Sequence, residues 1–280
     1  GASGAIASKI EKLQAALPAA RGAVLAFVDD DVRLRPAALR ELLPYLGEER
    51  AGSAFGLACY VNWNSWPGSA MSAFVNANAL LNYIPLCYLS EPFTITGHCF
   101  ALRREVFAAV GGLEGMAGRI DDDHELARRV RRAGLRNLQT PMIYDVDNEL
   151  PRWRDYGRQM QRWFVMPARL MLPQLGRRDR LVTALGGAGN GLPSLAAIAA
   201  ALGGRRERRG LLAILIVWLA CYLAGERRHL GRSTPPRRWP ALLVAAIVAP
   251  IQIARGLLGD EIHWRGQRLR IGRDGIVEVL

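Results

Sequence analysis

The sequence predicts an α/β domain followed by a group of apolar helices, and three observations carry that prediction. Segments of helical period alternate with short apolar runs up to residue 144, as they do where helices pack on a sheet. The apolar run 23–28 leads straight into Asp29-Asp30-Asp31, so three carboxylates emerge where a buried parallel strand should end, the place where open α/β sheets hold ligands. The formal net charge of +12 is also unevenly spread. Residues 1–150 carry 15 Lys and Arg against 17 Asp and Glu, whereas residues 151–280 carry 22 against 8, so the back of the chain is basic and apolar together.

The elements follow in order. Ile6, Ile10, Leu13 and Leu17 recur at helical spacing over 6–20, and Arg21-Gly22 ends that helix before the strand 23–28, an α-to-β step of a doubly wound sheet. Pro36 suits a first helical position, with Leu39, Leu42, Leu43 and Leu46 as the apolar face of a helix ending near Gly47. Residues 53–61 read as a strand, and Trp63, Trp66 and Pro67 fall in the loop before a long apolar helix, or pair of helices, over 69–89. The run 93–102 alternates loosely with Gly97 in mid-strand, where a glycine marks close approach by a ligand or another backbone. A short helix over 104–110 stops at Gly111-Gly112. A longer one over 123–133 stops at Gly134, with Asp122 or Asp123 near its N-cap, and a strand follows over 136–144.

From Trp153 the pattern changes. Trp153, Tyr156, Met160, Trp163, Phe164, Pro167, Leu170 and Met171 share one helical side, interspersed with Arg154, Arg158, Arg162 and Arg169, which predicts a helix lying in a membrane interface. Three uncharged stretches follow, at 181–204, 210–225 and 239–254. At a rise of about 1.5 Å per residue the last two are slightly short for a hydrocarbon core of roughly 30 Å. Both intervening loops are basic, so the positive-inside rule disfavours three crossings. The stretch 181–204, with Gly186, Gly187, Gly189, Gly191 and Pro193, is expected to be re-entrant or interfacial. Arginines at the edges of apolar segments favour a multi-pass membrane protein whose catalytic domain lies on the cytoplasmic face, and argue against nucleic acid as a partner. Cys59, Cys87, Cys99 and Cys221 form no C-x-x-C pair and read as reduced, packed thiols. The expected division is a catalytic domain at 1–150, the interfacial helix at 151–180, membrane segments at 181–258 and a cytoplasmic β-hairpin tail at 259–280.

The acidic clusters suggest chemistry. Sugar transfer from a nucleotide diphosphate needs carboxylates to anchor a divalent cation on the departing diphosphate, and a separate carboxylate to take the acceptor's proton. Asp29 and Asp31 can reach one hard cation if the chain turns there; a solvated acidic turn is the bland alternative. Asp123, in the triplet Asp121-Asp122-Asp123, either caps its helix or serves as a base. A helix N-terminus lowers a carboxylate's pKa, so the basic role would rest on the ionised form and on geometry. Gln159, Arg162 and Trp163 share a helical face and suit a phosphate-bearing ligand, though an interfacial Arg-Trp pair explains them equally.

The order of these motifs resembles a known family. Asp29-Asp30-Asp31 comes first, followed by the segment 96–105 with Gly111-Gly112. Asp121-Asp122-Asp123-His124-Glu125 and Gln159-x-x-Arg162-Trp163 come next, then hydrophobic helices and the closing Ile262-His263-Trp264-Arg265-Gly266. The whole is similar to inverting GT-A (family 2-type) glycosyltransferases, most of all their ceramide glucosyltransferase-like branch, over about residues 7–270. Leu269 departs from the aromatic usual in that tail. The resemblance implies a partial GT-A (nucleotide-diphospho-sugar transferase) domain. It implies Asp29 and Asp31 as ligands of Mg²⁺ or Mn²⁺, Asp123 as general base with Asp122 beside it, and Gln159, Arg162 and Trp163 near the diphosphate and acceptor. Gly97 and Lys9 join the substrate-binding set, Lys9 because a lysine commonly precedes the D-x-D strand. The implied partners are a UDP-hexose donor and a lipid acceptor, the implied reaction the transfer of glucose from UDP-glucose to a lipid hydroxyl. Members begin with further strands that hold the nucleoside, which implies N-terminal truncation here. A processive polysaccharide synthase and a catalytically inert membrane-attached fragment are the rival readings.

Overall fold

The structure, a computed structural model, describes residues 8–264, 266–272 and 277–280, with the backbone alone at Ser8 and 186–191. Ile6 and Arg265 lie outside the described residues. The described residues begin with α1 (Ser8–Ala16), which buries Ile10, and with a 3-10 turn containing Pro18. Then come β1 (Val24–Val28), β2 (Val32–Arg33), α2 (Ala38–Leu42), β3 (Ala51–Tyr60) and α3 (Trp66–Asn78). A π-turn (Ala79–Tyr83) leads into α4 (Ile84–Leu89), and β4 (Cys99–Arg103), α5 (Arg104–Ala109), α6 (Asp122–Arg132) and β5 (Arg136–Val146) complete the α/β region.

The sheet order is β1-β4-β3-β5-β2, and it is mixed: β3 and β5 run parallel, whereas β1–β4, β3–β4 and β2–β5 are antiparallel. This corrects the expectation of a buried parallel strand at 23–28. Among the described residues β1 is an edge strand, alternately buried and exposed, with Val28 45% exposed. The cause is the direction of return. The excursion through α3 and α4 leaves from the carboxyl end of β3 and re-enters at that same end, so β4 runs back between β3 and β1. An apolar run alone does not reveal whether its strand lies at an edge or in the centre.

Apolar side chains cover both faces of the sheet. One face gathers Leu25, Phe27, Phe55, Leu57, Phe100 and Leu102 under α6; the other gathers Ala54, Ala58, Tyr60, Ala101 and Tyr144 under α2 and α3. Other boundaries shift for local reasons. Pro44 has no N–H to donate back along the helix, and the helix expected over 36–47 is a short α2 followed by a 3-10 turn that carries Pro44 in its first turn, with Leu39 and Leu43 exposed and Pro36 outside it. Trp66 and Pro67 are in the first turn of α3 rather than in a loop, because Ser65 Oγ caps it by accepting from Gly68 N–H at 3.0 Å.

The second half begins with α7 (Trp153–Met166) and a π-turn (Pro167–Met171). It continues through α8 (Arg177–Leu202), α9 (Arg205–Gly225) and α10 (Trp239–Leu258) to β6 (Glu261–Trp264), β7 (Gln267–Ile271) and β8 (Val277–Val279). The last three form an antiparallel sheet where a hairpin was expected. The apolar side of α7 faces the protein: Tyr156 and Met160 are buried with Tyr60 and Tyr144, and Val165 with Ile262 and Leu269 of the tail. Trp153 remains outside, 55% exposed. The stretch 181–204 lies, up to Leu202, in the continuous α8 with Pro193 inside it, and Ser194 Oγ donates to the Ala246 carbonyl of α10 at 2.8 Å. Segments Arg205–Leu230 and Pro236–Leu258 are each long and apolar enough to cross a membrane, by length and composition. Among the described cysteines Cys59 and Cys99 are buried and all four are free, but Cys221 is exposed on α9.

Candidate active site

The sheet topology fixes where the first acidic triplet lies. β1 and β2 occupy opposite edges yet are joined only by Asp29-Asp30-Asp31, so the turn runs across the ends of the strands between them. Val32 N–H donates to the Asp29 carbonyl at 3.2 Å and closes the turn, while Asp29 N–H donates to the His98 carbonyl at 2.9 Å and ties it to the start of β4. Asp29 and Asp31 are partly buried and Asp30 is exposed. The charges of Asp29 and Asp31 both bear on His98 and Tyr60, so the two outer carboxylates of the triplet face one neighbourhood.

The second triplet divides its work. Asp121, the N-cap of α6, makes no side-chain cap and is paired with Arg119 at 2.9 Å. Asp122 reaches Lys9 Nζ at 3.3 Å, and the same ammonium holds Asp29 at 3.2 Å. Lys9 on α1 therefore joins the two triplets, more than ninety positions apart in sequence. Asp123 Oδ1 accepts from His124 N–H at 2.7 Å, and its Oδ2 lies against Gly97, where an added Cβ would come within 2.5 Å of it. Gly97 sits in the loop before β4 and not in mid-strand. What approaches it closely is the Asp123 carboxylate.

Electrostatics distinguishes these acids. Burial, with the like charge of Asp122, raises Asp123 to about 7, and Lys9 and the His124 amide only partly oppose this. This corrects the expectation of a pKa lowered by the helix end: desolvation outweighs the dipole. Burial also raises Asp29, against the pull of Lys9 and His98, and lowers His98. Burial works against the charge of Lys9, but Asp122, Asp29 and Asp123 together hold it well above the ordinary lysine range. Burial and then the Asp123 charge push Tyr83 up to about 12.

Helix α7 closes the site. Trp163 packs edge-on against Tyr60 and tilted against Phe74, at centroid distances of 6.2 and 6.4 Å. Arg162 donates to Gln159 Oε1 at 3.1 Å, lies 5.7 Å from the Trp264 ring centroid, and its charge bears on His98 and Tyr60. His98 thus feels Asp29, Asp31, Lys9 and Arg162 together, and its Nε2 is 3.3 Å from the Tyr60 hydroxyl. All nine residues singled out from the sequence are drawn into this region.

A family model described as glycosyl transferase family 21 matches residues 1–277. The chain belongs to glycosyl transferase family 21. The family is ceramide glucosyltransferase-like and of GT-A type, so this family 21 chain is a glycosyltransferase, and its central mixed sheet fits a GT-A-like fold. No curated protein matches it. Three residues at the candidate site escaped the sequence reading: Tyr60, Tyr83 and His98. His98 stands inside the motif 96–105, so its place was marked without its role; Tyr60 and Tyr83 are indistinguishable from core aromatics until the sheet order is known.

The donors suit a hard cation. No group of three His, Cys, Asp or Glu side chains able to hold a metal occurs among the described residues. Mg²⁺ and Mn²⁺ at phosphate sites need only one or two carboxylates, the remaining ligands being waters and substrate phosphates. Asp29 and Asp31 are a pair of the kind such a site would use, and Asp29 faces a cation here, the Lys9 ammonium.

Proposed function

We propose that the chain is a membrane-bound inverting glycosyltransferase that moves a hexose, glucose from UDP-glucose, onto a lipid hydroxyl. The observation that carries this reading is Asp123. It is set beside Gly97 in the cleft that Lys9 spans, with a pKa near 7 that suits general-base work at neutral pH. Asp123 takes the proton of the acceptor hydroxyl as that oxygen bonds to the anomeric carbon. The bond from that carbon to the UDP oxygen breaks on the opposite face, and UDP departs with the electron pair. Asp29 and Asp31 would hold Mg²⁺ or Mn²⁺, which when bound supplies positive charge to the diphosphate. Arg162, oriented by Gln159, brings a second positive charge, and Trp163 fixes the helix that carries it against Tyr60.

Membrane attachment through α9 and α10 is supported by their surfaces. Only 17% and 33% of their apolar windows are buried, unlike the core helices of a soluble protein, and Leu212, Ile216, Val244 and Ile253 are exposed. The reaction is tested with full-length protein in lipid vesicles, labelled UDP-glucose and a lipid acceptor mixture. Transfer with inversion is expected. It should stop on chelation and resume with Mn²⁺, and Asp123→Asn should lower it by roughly 10²–10⁴-fold. Undiminished transfer by Asp123→Asn would remove Asp123 from the base role.

A further inference from the structure

Away from the acid clusters, a cavity of about 630 Å³ opens between α7, α10 and β6. Its polar lining is Arg154, Arg158 and Gln161 of α7, Gln252 and Arg255 of α10, and His263 of β6. Residues 154, 158 and 161 follow each other at i, i+4 and i+7, so they share one stripe of the helix. Arg162 and Trp163 point instead to Trp264 and Tyr60. The helix thus serves two separate sites with two faces.

The charge in this cavity is only partly compensated: Arg154 and Arg158 feel the Asp155 carboxylate, which is itself paired with Arg152. None of Arg154, Arg158 and Arg255 has a hydrogen-bond or ion-pair partner among the described residues. Two carboxylates on the lining elements are already engaged: Asp155 with Arg152 at 2.9 Å, and Glu261 with Arg268 at 2.7 Å and Arg270 at 3.2 Å. Two further polar atoms, His263 Nδ1 and Gln252 Oε1, are shielded from solvent without a hydrogen-bond partner. Gln252 Nε2 is held by the Tyr156 hydroxyl at 3.0 Å, and Gln161 Nε2 by the Glu261 carbonyl at 3.0 Å, which fixes both amides at the wall. Shielded polar atoms without partners are costly, and three guanidiniums around one space, Arg158 half-buried and Arg154 and Arg255 exposed at the mouth, favour an anion between them.

We propose that this cavity is a binding site for a phosphate-bearing anion, distinct from the donor site. Guanidiniums match phosphate oxygens with paired N–H donors, an imidazole N–H adds another, and the Gln252 carbonyl oxygen would accept from a phosphate or headgroup hydroxyl. Gln252 and Arg255 lie near the carboxyl end of the apolar helix α10, so a lipid headgroup at a membrane surface can supply the phosphate as readily as a soluble ion.

The test is calorimetric titration of the full-length protein in neutral detergent, with inorganic phosphate in one arm and short-chain phosphatidylglycerol in the other. Binding in at least one arm is expected: the first identifies a free-phosphate site, and the second alone a headgroup site. Arg158→Gln/Arg255→Gln should weaken it by roughly tenfold or more for each guanidinium removed. Gly157→Leu is an independent variant. Gly157 lines the same cavity and an added Cβ meets nothing within 4 Å, so the leucine should project into the space, with a circular dichroism melt checking that the fold is kept. Absence of binding in both arms, or unchanged affinity in the double variant and in Gly157→Leu, would overturn the proposal.

Discussion

At the scale of single residues, Gly97 and Asp123 fit closely against each other, and the proposed base depends on that fit. A methyl group at Gly97 would approach Asp123 Oδ2 to 2.5 Å, and the carboxylate has to move aside. Gly97→Ala should therefore lower turnover about tenfold or more, since displacement by an ångström is enough to spoil proton transfer, while the melting temperature changes little. Circular dichroism melting beside the transfer assay measures both. Asp123 also stores strain of an electrostatic kind. An unfolded aspartate titrates at about 4, and the folded one at about 7. The folded chain thus binds that proton more tightly, and stability is highest at acid pH and falls as pH rises between those values. Asp123→Asn should then melt higher than the parent protein at pH 8 while losing activity. Of these residues, the two carboxylate triplets, Lys9 and Gly97 were legible in the sequence as candidates. The pKa of Asp123 was not, because it is set by burial that only the assembled loop 93–98 and the π-turn with Tyr83 create.

At the scale of elements, α7 holds the site and is itself held by α10. Gly256 is the crossing point: an added Cβ would lie 2.4 Å from Phe164 Cβ and 2.7 Å from its carbonyl carbon, too close to be relieved by side-chain rotation. Gly256→Ala is expected to cost about 1–3 kcal/mol, the range for overpacking. It should also weaken donor binding, because Phe164 is the neighbour of Trp163 and both pack on Phe74. Denaturant melts and a KM comparison separate the two effects. Helical periods and glycine stops located α1, α5, α6 and α7 to within a few residues, since those signals are local. Strand order was not local. Whether β1 pairs parallel or antiparallel depends on which end of the sheet the 61–98 excursion re-enters, and no residue in 23–28 encodes that.

At the scale of the molecule, the catalytic region and the apolar helices share one packed interior: Trp218 and Tyr222 of α9 and Leu242 of α10 lie in the same core as Phe55 and Leu126. The charge division at residue 150 was plain in the sequence, but this shared core was not, because composition says nothing about which apolar faces meet. If α9 and α10 anchor the chain in a bilayer, it should remain with membranes through alkaline carbonate extraction and leave only with detergent; release by carbonate would contradict that anchoring. The central claim is that two acidic triplets far apart in the chain form one site around Lys9. The pH dependence of kcat/KM tests it most directly, comparing the parent protein with Lys9→Met. Because Asp123 must be ionised to act as base and Lys9 favours that form, the acid limb should lie near 7 in the parent and move to higher pH in the variant. A limb at about 4, the ordinary carboxylate range, or one that Lys9→Met leaves in place, would contradict the account.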